Sequence, residues 1–263
     1  MIRSYMTWRG FVICVSERGE GDPLLLVPGI GCSADMWDSF MDYFPNRRVV
    51  SFDAPGTGRS STPFYPVSVP SLAALAVAVL DNRGIERTDV VGFSYGGAVS
   101  QQLAYEYPER VERLVLAATT CGQGSVLGSP EALAVLATPM RFYSSNYFER
   151  IAADVYGGVT GRNPEQRQNA IDQRRRLPPN PYGYAMQLLG GYGWSSLGFL
   201  PDIRHETLVI MGDDDPLVPV ANGHMLAERI PRAELEIVNG AGHLFLWDEP
   251  ERLAPRIGRF VAS

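Results

Sequence analysis

A chain of 263 residues, 45% hydrophobic and 20% charged, suffices for one large domain, or a domain carrying an insertion, around a real core. Its formal net charge of -6 argues against a nucleic-acid partner, which selects clustered positive charge. All 23 basic residues are Arg, which excludes a lysine Schiff base, a pyridoxal anchor and a phosphate-loop lysine.

The three widely spaced cysteines, Cys14, Cys32 and Cys121, suit free thiols in a reducing, cytoplasmic setting better than a disulfide frame or a zinc site. The first apolar run, residues 11–15, is too short for a signal peptide, and no later run approaches a membrane span.

In chain order, residues 5–8 and 11–15 flank Arg9-Gly10 and predict an opening hairpin. Apolar, β-branched runs without alternation predict buried strands over 23–29, 48–53, 88–94 and 113–118, and later over 207–213 and 233–238. Between the early runs, Leu72, Leu75, Ala76, Val79 and Leu80 recur at helical spacing. Helices are also expected over 95–107 and 221–229. Such alternation predicts an α/β fold: a mostly parallel, doubly wound sheet with helices on both faces.

From about Gly122 to Pro201 the alternation stops and aromatic residues accumulate: Phe142, Tyr143, Tyr147, Phe148, Tyr156, Tyr182, Tyr184, Tyr192, Trp194 and Phe199. A structureless loop of this length is improbable, so residues 122–201 are expected to form a helical cap, inserted into a core made of 1–121 and 202–263. Helices are expected there over 132–136 and 147–155, with the rings lining a pocket. The run Arg174, Arg175 and Arg176 reads as a solvated face.

The chemistry concentrates at GFSYGG, where Ser94 lies between Gly92 and Gly96 at the junction of a strand and a helix. That is the setting of a nucleophile elbow. The turn is so tight that the positions two before and two after the serine must lack side chains. A serine hydroxyl needs a base. Of the three histidines, His205 and His224 read as facing solvent, whereas His243 follows the last strand in a glycine-containing loop, where a chain order of Ser, Asp, His places the base.

The acid is sought in GDDDPLVP, at the carboxyl end of a strand, among Asp213, Asp214 and Asp215. Pro216 favours a turn just after Asp215; Asp214 is the next choice. Oxyanion donors are expected from the backbone amides of Tyr95 and of Ile30 in PGIG, where Gly29 and Gly31 let the loop close and Pro28 has no N–H. Cys32, in the same loop, is expected to line a wall. DAPGTGRS, at residues 53–60, is read as a tight turn, not a phosphate loop. No metal or organic cofactor is implied.

With these residues located, the chain resembles the α/β-hydrolase-fold esterases over its whole length, through PGIG, DAPGTGRS, GFSYGG, LVIMGDDDPLVP and GAGH. It is similar, more narrowly, to the intracellular poly(3-hydroxyalkanoate) depolymerase family, through GIG, ATPMRFY, QLLGGYGWSSLGFLP, GDDDPLVPVAN and GHLFL. The resemblance implies Ser94 as nucleophile, Asp215 as acid, His243 as base and a cap over the site. Pro28 stands where members often have His or Asn, and Tyr95 where Trp is expected. The resulting expectation is a serine hydrolase that cleaves carboxylic esters, including medium-chain 3-hydroxyacyl esters, through an acyl-enzyme, acting on a small-molecule or oligomeric ester. The alternatives are a small-molecule esterase, lactonase or thioesterase with the same triad, or a ligand receptor that keeps the fold.

Overall fold

The computed structural model describes residues 2–262. Its single sheet has eight strands in the order β1-β2-β4-β3-β5-β6-β7-β8. These are β1 (Ile2–Trp8), β2 (Phe11–Arg18), β3 (Asp22–Val27), β4 (Arg47–Phe52), β5 (Thr88–Phe93), β6 (Val111–Ala117), β7 (Glu206–Gly212) and β8 (Ala233–Val238). The first two form the expected hairpin, turning through Arg9 and Gly10 at φ 48° and 84°. β2 runs antiparallel to β4, and the remaining pairings are parallel.

The unalternated apolar runs reflect burial on both faces. In β3, Leu25 and Val27 join the cluster under α1 (Val69–Asn82), α2 (Tyr95–Glu106) and a later helix over residues 221–229, whereas Leu24 and Leu26 join the opposite cluster with Trp37, Phe245 and Leu253. Truncating any one of these side chains to Ala costs about 2–5 kcal/mol. Because the chain goes from β3 outward to β4 and then back across to β5, the sheet reverses direction between β3 and β5. A crevice at the carboxyl ends of those strands follows.

Between β6 and β7, six α-helices are found among the described residues: α3 (Pro130–Leu136), α4 (Met140–Tyr143), α5 (Ser145–Tyr156), α6 (Gly158–Arg162), α7 (Pro164–Arg176) and α8 (Pro181–Gly191). Residues 132–136 and 147–155 fall in α3 and α5; the other four helices were not read from the sequence. Three of the six start with a side-chain cap followed by proline. Ser129 accepts the Ala132 amide, Asn163 those of Glu165 and Gln166, and Asn180 those of Tyr182 and Gly183. After β7 come α9 (Ala221–Arg229), α10 (Phe245–Asp248) and α11 (Pro250–Ala262). No helix among the described residues is long and apolar enough to cross a membrane.

Two surface expectations are corrected. His205 does not face solvent: it is 9% exposed, with Nε2 at 2.9 Å from the Pro108 carbonyl, whereas His224 is exposed as expected. Of the arginine run, Arg175 and Arg176 are exposed, but Arg174 is half-buried with its guanidinium over the rings of Tyr156 and Phe148, at 5.0 and 5.4 Å.

Candidate active site

At the end of β5 the chain turns directly into α2, and Ser94 takes φ 54° and ψ -119°, a region few non-glycine residues adopt. Two backbone bonds pin it there. The Ser94 amide donates to the Ala117 carbonyl at 2.9 Å, and its own carbonyl accepts from Gly97 N–H at 2.8 Å and from Thr119 Oγ1 at 2.7 Å. A Cβ on Gly92 would lie 2.4 Å from Ser100 Oγ, and one on Gly96 would lie 2.1 Å from the Val27 carbonyl, so the steric reading of both positions holds. The Ser94 side chain sits at the N-terminus of α2, where free N–H groups favour negative charge. Its hydroxyl has no hydrogen-bond partner among the described residues.

The three consecutive aspartates separate cleanly. Asp213 accepts the Gly240 amide, and Asp214 accepts the Gly158 amide and pairs with Arg162. Asp215 alone faces a histidine: its Oδ2 lies 2.8 Å from His243 Nδ1, while Oδ1 accepts the amides of Leu217 and Val218, each at 2.9 Å. An ionised carboxylate only accepts, so Nδ1 carries the proton and Nε2 is left as the basic nitrogen. The pair is enclosed, with side chains 4% and 0% exposed for His243 and Asp215. The imidazole lies beside the elbow, its centroid 5.0 Å from the ring of Phe93, the residue before Ser94. The His243 amide donates to the Tyr156 carbonyl at the end of α5 (2.7 Å).

The loop after β3 closes through Cys32 N–H on the Gly29 carbonyl (3.1 Å), and a Cβ on Gly29 would stand 3.5 Å from Ser94 Cβ. Its far end is held by Asp53, whose Oδ1 accepts the Ala34 amide (2.7 Å) and whose Oδ2 accepts the Arg59 amide (2.8 Å). DAPGTGRS is therefore the expected turn, folded around a carboxylate. Burial pushes the Asp53 carboxyl above the usual range, against the pull of these two amides. The amides of Ile30 and Tyr95 have no acceptor among the described residues. Gln187 of α8 was missed from the sequence; its Oε1 accepts the Gly31 amide at 3.0 Å.

A cavity of about 320 Å³ opens beside Ser94. It corrects one expectation. Of the ten aromatics between Gly122 and Pro201, only Tyr192 and Trp194 line it, beside Tyr95 of α2, and the rest of its apolar wall is mostly aliphatic: Val126, Leu127, Leu133, Leu136 and Leu188, with Leu217 and Val218. Several of the other rings pack on one another, as in Phe148 with Tyr156 and Phe142 with Tyr184, whereas Tyr143 and Tyr182 are exposed. Cys32 lines a separate cavity of about 610 Å³ that does not reach Ser94 and carries Asp35, Asp38, Asp172 and Asp248.

The fold and this geometry agree with comparison to known proteins. A family model described as the alpha/beta hydrolase fold matches residues 22–250. The chain is 42% identical over 240 residues to a poly(3-hydroxyalkanoate) depolymerase of Ectopseudomonas oleovorans, spanning 91% of this chain and 84% of that protein. Among solved structures it superposes with a TM-score of 0.84 on a hydrolase from Pseudomonas aeruginosa PA01, at 26% identity, covering 99% and 98% of the two chains. Est816, described as an N-acyl homoserine lactone degrading enzyme, gives a TM-score of 0.82 at 26% identity and covers 98% and 100%. With the strained serine at the end of β5, the aspartate after β7 and the histidine after β8, the chain belongs to the α/β-hydrolase family and is a hydrolase.

Proposed function

We propose that the protein hydrolyses carboxylic esters through an acyl-enzyme, with Ser94 as nucleophile, His243 as base and Asp215 as its acid. The observation that carries this reading is the pairing of a strained serine at a strand-to-helix turn with a buried histidine whose Nδ1 is committed to a carboxylate. Ser94 Oγ attacks the ester carbonyl carbon as its proton passes to His243 Nε2, and Asp215 stabilises the imidazolium that forms. The amides of Ile30 and Tyr95 receive the charge growing on the carbonyl oxygen. Collapse expels the alcohol oxygen, which takes the proton from Nε2. Water then repeats the sequence on the acyl-enzyme and frees the acid and Ser94. In unliganded enzymes the contact between nucleophile and base is often long and tightens on substrate, which fits a Ser94 hydroxyl with no partner among the described residues.

Residues 122–201 act, in this reading, as a cap over the site. The aliphatic cavity favours a medium-length acyl chain, and the 42% identical depolymerase favours 3-hydroxyacyl units delivered as oligomers. A cytoplasmic setting fits the three unpaired cysteines. The likeness to a lactone-degrading enzyme favours one second reading, a small lactone opened by the same three residues. The test is direct. A serine-directed phosphonate should add to Ser94 and no other residue by mass spectrometry, and Ser94→Ala should abolish turnover of p-nitrophenyl esters. Hydrolysis of 3-hydroxyacyl oligomers supports the first reading, and inert oligomers beside rapidly opened lactones support the second.

A further inference from the structure

We infer that Gln187, on α8, is a positioning residue that holds the oxyanion loop in its donating shape, so that the loop is competent only while α8 is docked on the core. The inference rests on the ester-hydrolase reading. Gln187 is 3% exposed and touches the site at three places. Its Oε1 accepts the Gly31 amide at 3.0 Å, its Nε2 donates to the Pro55 carbonyl at 3.3 Å, and its backbone carbonyl accepts from Tyr95 Oη at 3.5 Å. One residue of the cap thus braces the neighbour of one proposed oxyanion donor, the turn behind the loop, and the side chain of the residue that supplies the other donor.

The bond to Gly31 fixes the peptide plane that follows Ile30. Together with Cys32 N–H on the Gly29 carbonyl, it closes the turn on both sides of Ile30 and leaves the Ile30 amide without an acceptor among the described residues. Gly31 holds φ 71°, and a Cβ there would lie 2.7 Å from the Tyr184 ring, so the loop is shaped against α8 itself. Among the described residues Gly31 N–H has no acceptor other than Gln187. Removing the Gln187 side-chain amide while α8 stays docked would leave a buried donor unpaired, which the loop relieves by rotating the peptide away.

The docking of α8 is itself specified. Gly183 lies against Gly56, where a Cβ would come within 2.4 Å of the Gly56 Cα. Tyr184 donates to the Leu136 carbonyl at 2.6 Å and accepts from Arg141 at 2.8 Å. Arg141 is 6% exposed and lies over the Phe142 and Tyr184 rings, which ties α8 to α4.

Gln187→Met keeps the length of the side chain and removes both its donor and its acceptor. On a p-nitrophenyl ester, kcat should fall roughly 10- to 100-fold with KM within about twofold, less than the loss of an oxyanion donor itself. The inhibition constant of an alkylboronic acid, which adds to Ser94 as a tetrahedral anion, should rise by the same factor. Leu189→Ala, on the exposed face of α8, should change neither. A folded Gln187→Met with unchanged kcat, or with a loss confined to KM and boronate affinity intact, overturns the inference. Should Gln187→Met fail to fold, amide exchange in the unmodified protein decides. The Gly31 amide should be protected as well as those of α8 and lose protection with them, and fast exchange at Gly31 beside a protected α8 overturns it. Full turnover by Ser94→Ala would instead remove the ester-hydrolase reading and leave the exchange result standing.

Discussion

At Asp215, one carboxylate oxygen is spoken for by the amides of Leu217 and Val218, and the other faces His243 Nδ1. An asparagine would keep its carbonyl oxygen on the two amides and so turn its NH2 toward Nδ1. The imidazole then carries its proton on Nε2 and has no lone pair for the Ser94 proton. Asp215→Asn should lower kcat by about 10⁴ with the melting temperature little changed. Asp213→Asn and Asp214→Asn, whose carboxylates hold Gly240, Gly158 and Arg162 instead, should each cost less than about tenfold. Steady-state kinetics on the three variants decides, and a larger loss at Asp214 would move the acid by one residue. Cys32, two residues after the proposed donor Ile30, makes the opposite case. Burial pushes its thiol up, against Arg174 and Arg141, so it stays protonated at neutral pH. Cys32→Ala should retain turnover within about twofold, and abolished turnover would give the thiol a chemical role.

Elements were legible in the sequence to the degree that burial writes a pattern. β3 to β7 were each marked by a run that is apolar or β-branched, β8 by one interrupted by Glu234 and Glu236, and the ends agree within about two residues, as frayed boundaries allow. The cap helices were less legible. In α7 only Ala170 and Ile171 are buried, and α4 and α6 are too short for a period to show. The signal that was present, a Ser or Asn followed by Pro, marks the starts of α3, α7 and α8. In the site, Gly92, Ser94 and Gly96 lie within five residues and were readable as a local motif. Asp215 was chosen over Asp214 from Pro216 and the family resemblance, and the fold gives the three carboxylates different partners. Gln187 lies 156 residues from Gly31, and no periodicity reports such a contact. Aromatic composition misled for a related reason: it reports that rings must be buried but not against what. The aliphatic wall found instead predicts that kcat/KM on p-nitrophenyl esters rises from acetate by about fourfold per methylene while the chain remains inside, at ~0.8 kcal/mol each. Leu136→Trp should move the maximum to a shorter acyl chain. A maximum at acetate in the unmodified protein would refute the assignment of this cavity.

Across the whole molecule, the helices between β6 and β7 are joined to the rest of the chain by polar contacts, several of them at or next to Asp215 and His243. The Tyr156 carbonyl holds the His243 amide, Gly158 and Arg162 hold Asp214, and Thr160 of α6 meets Asp248 of α10 through both its amide (3.1 Å) and its hydroxyl (2.7 Å). Asp248 gives this coupling a pH dependence. Burial raises its carboxyl above the ordinary value of 3.8, outweighing the two Thr160 hydrogen bonds that pull it down. A carboxyl raised by folding contributes its full stability below its unfolded value and loses it as the pH climbs through the raised one, so at neutral pH Asp248 is a charge the fold tolerates at a cost. Asparagine fits the same place without the charge: its oxygen accepts the Thr160 amide, and its NH2 donates to the Thr160 hydroxyl, which can reverse its role. Asp248→Asn should therefore raise the melting temperature relative to the unmodified protein more at pH 8 than at pH 4. Thermal melts of both proteins at the two pH values measure this. An equal difference at both would mean that folding does not shift the Asp248 carboxyl, and a larger gain at pH 4 would mean that its contact to Thr160 outweighs its burial.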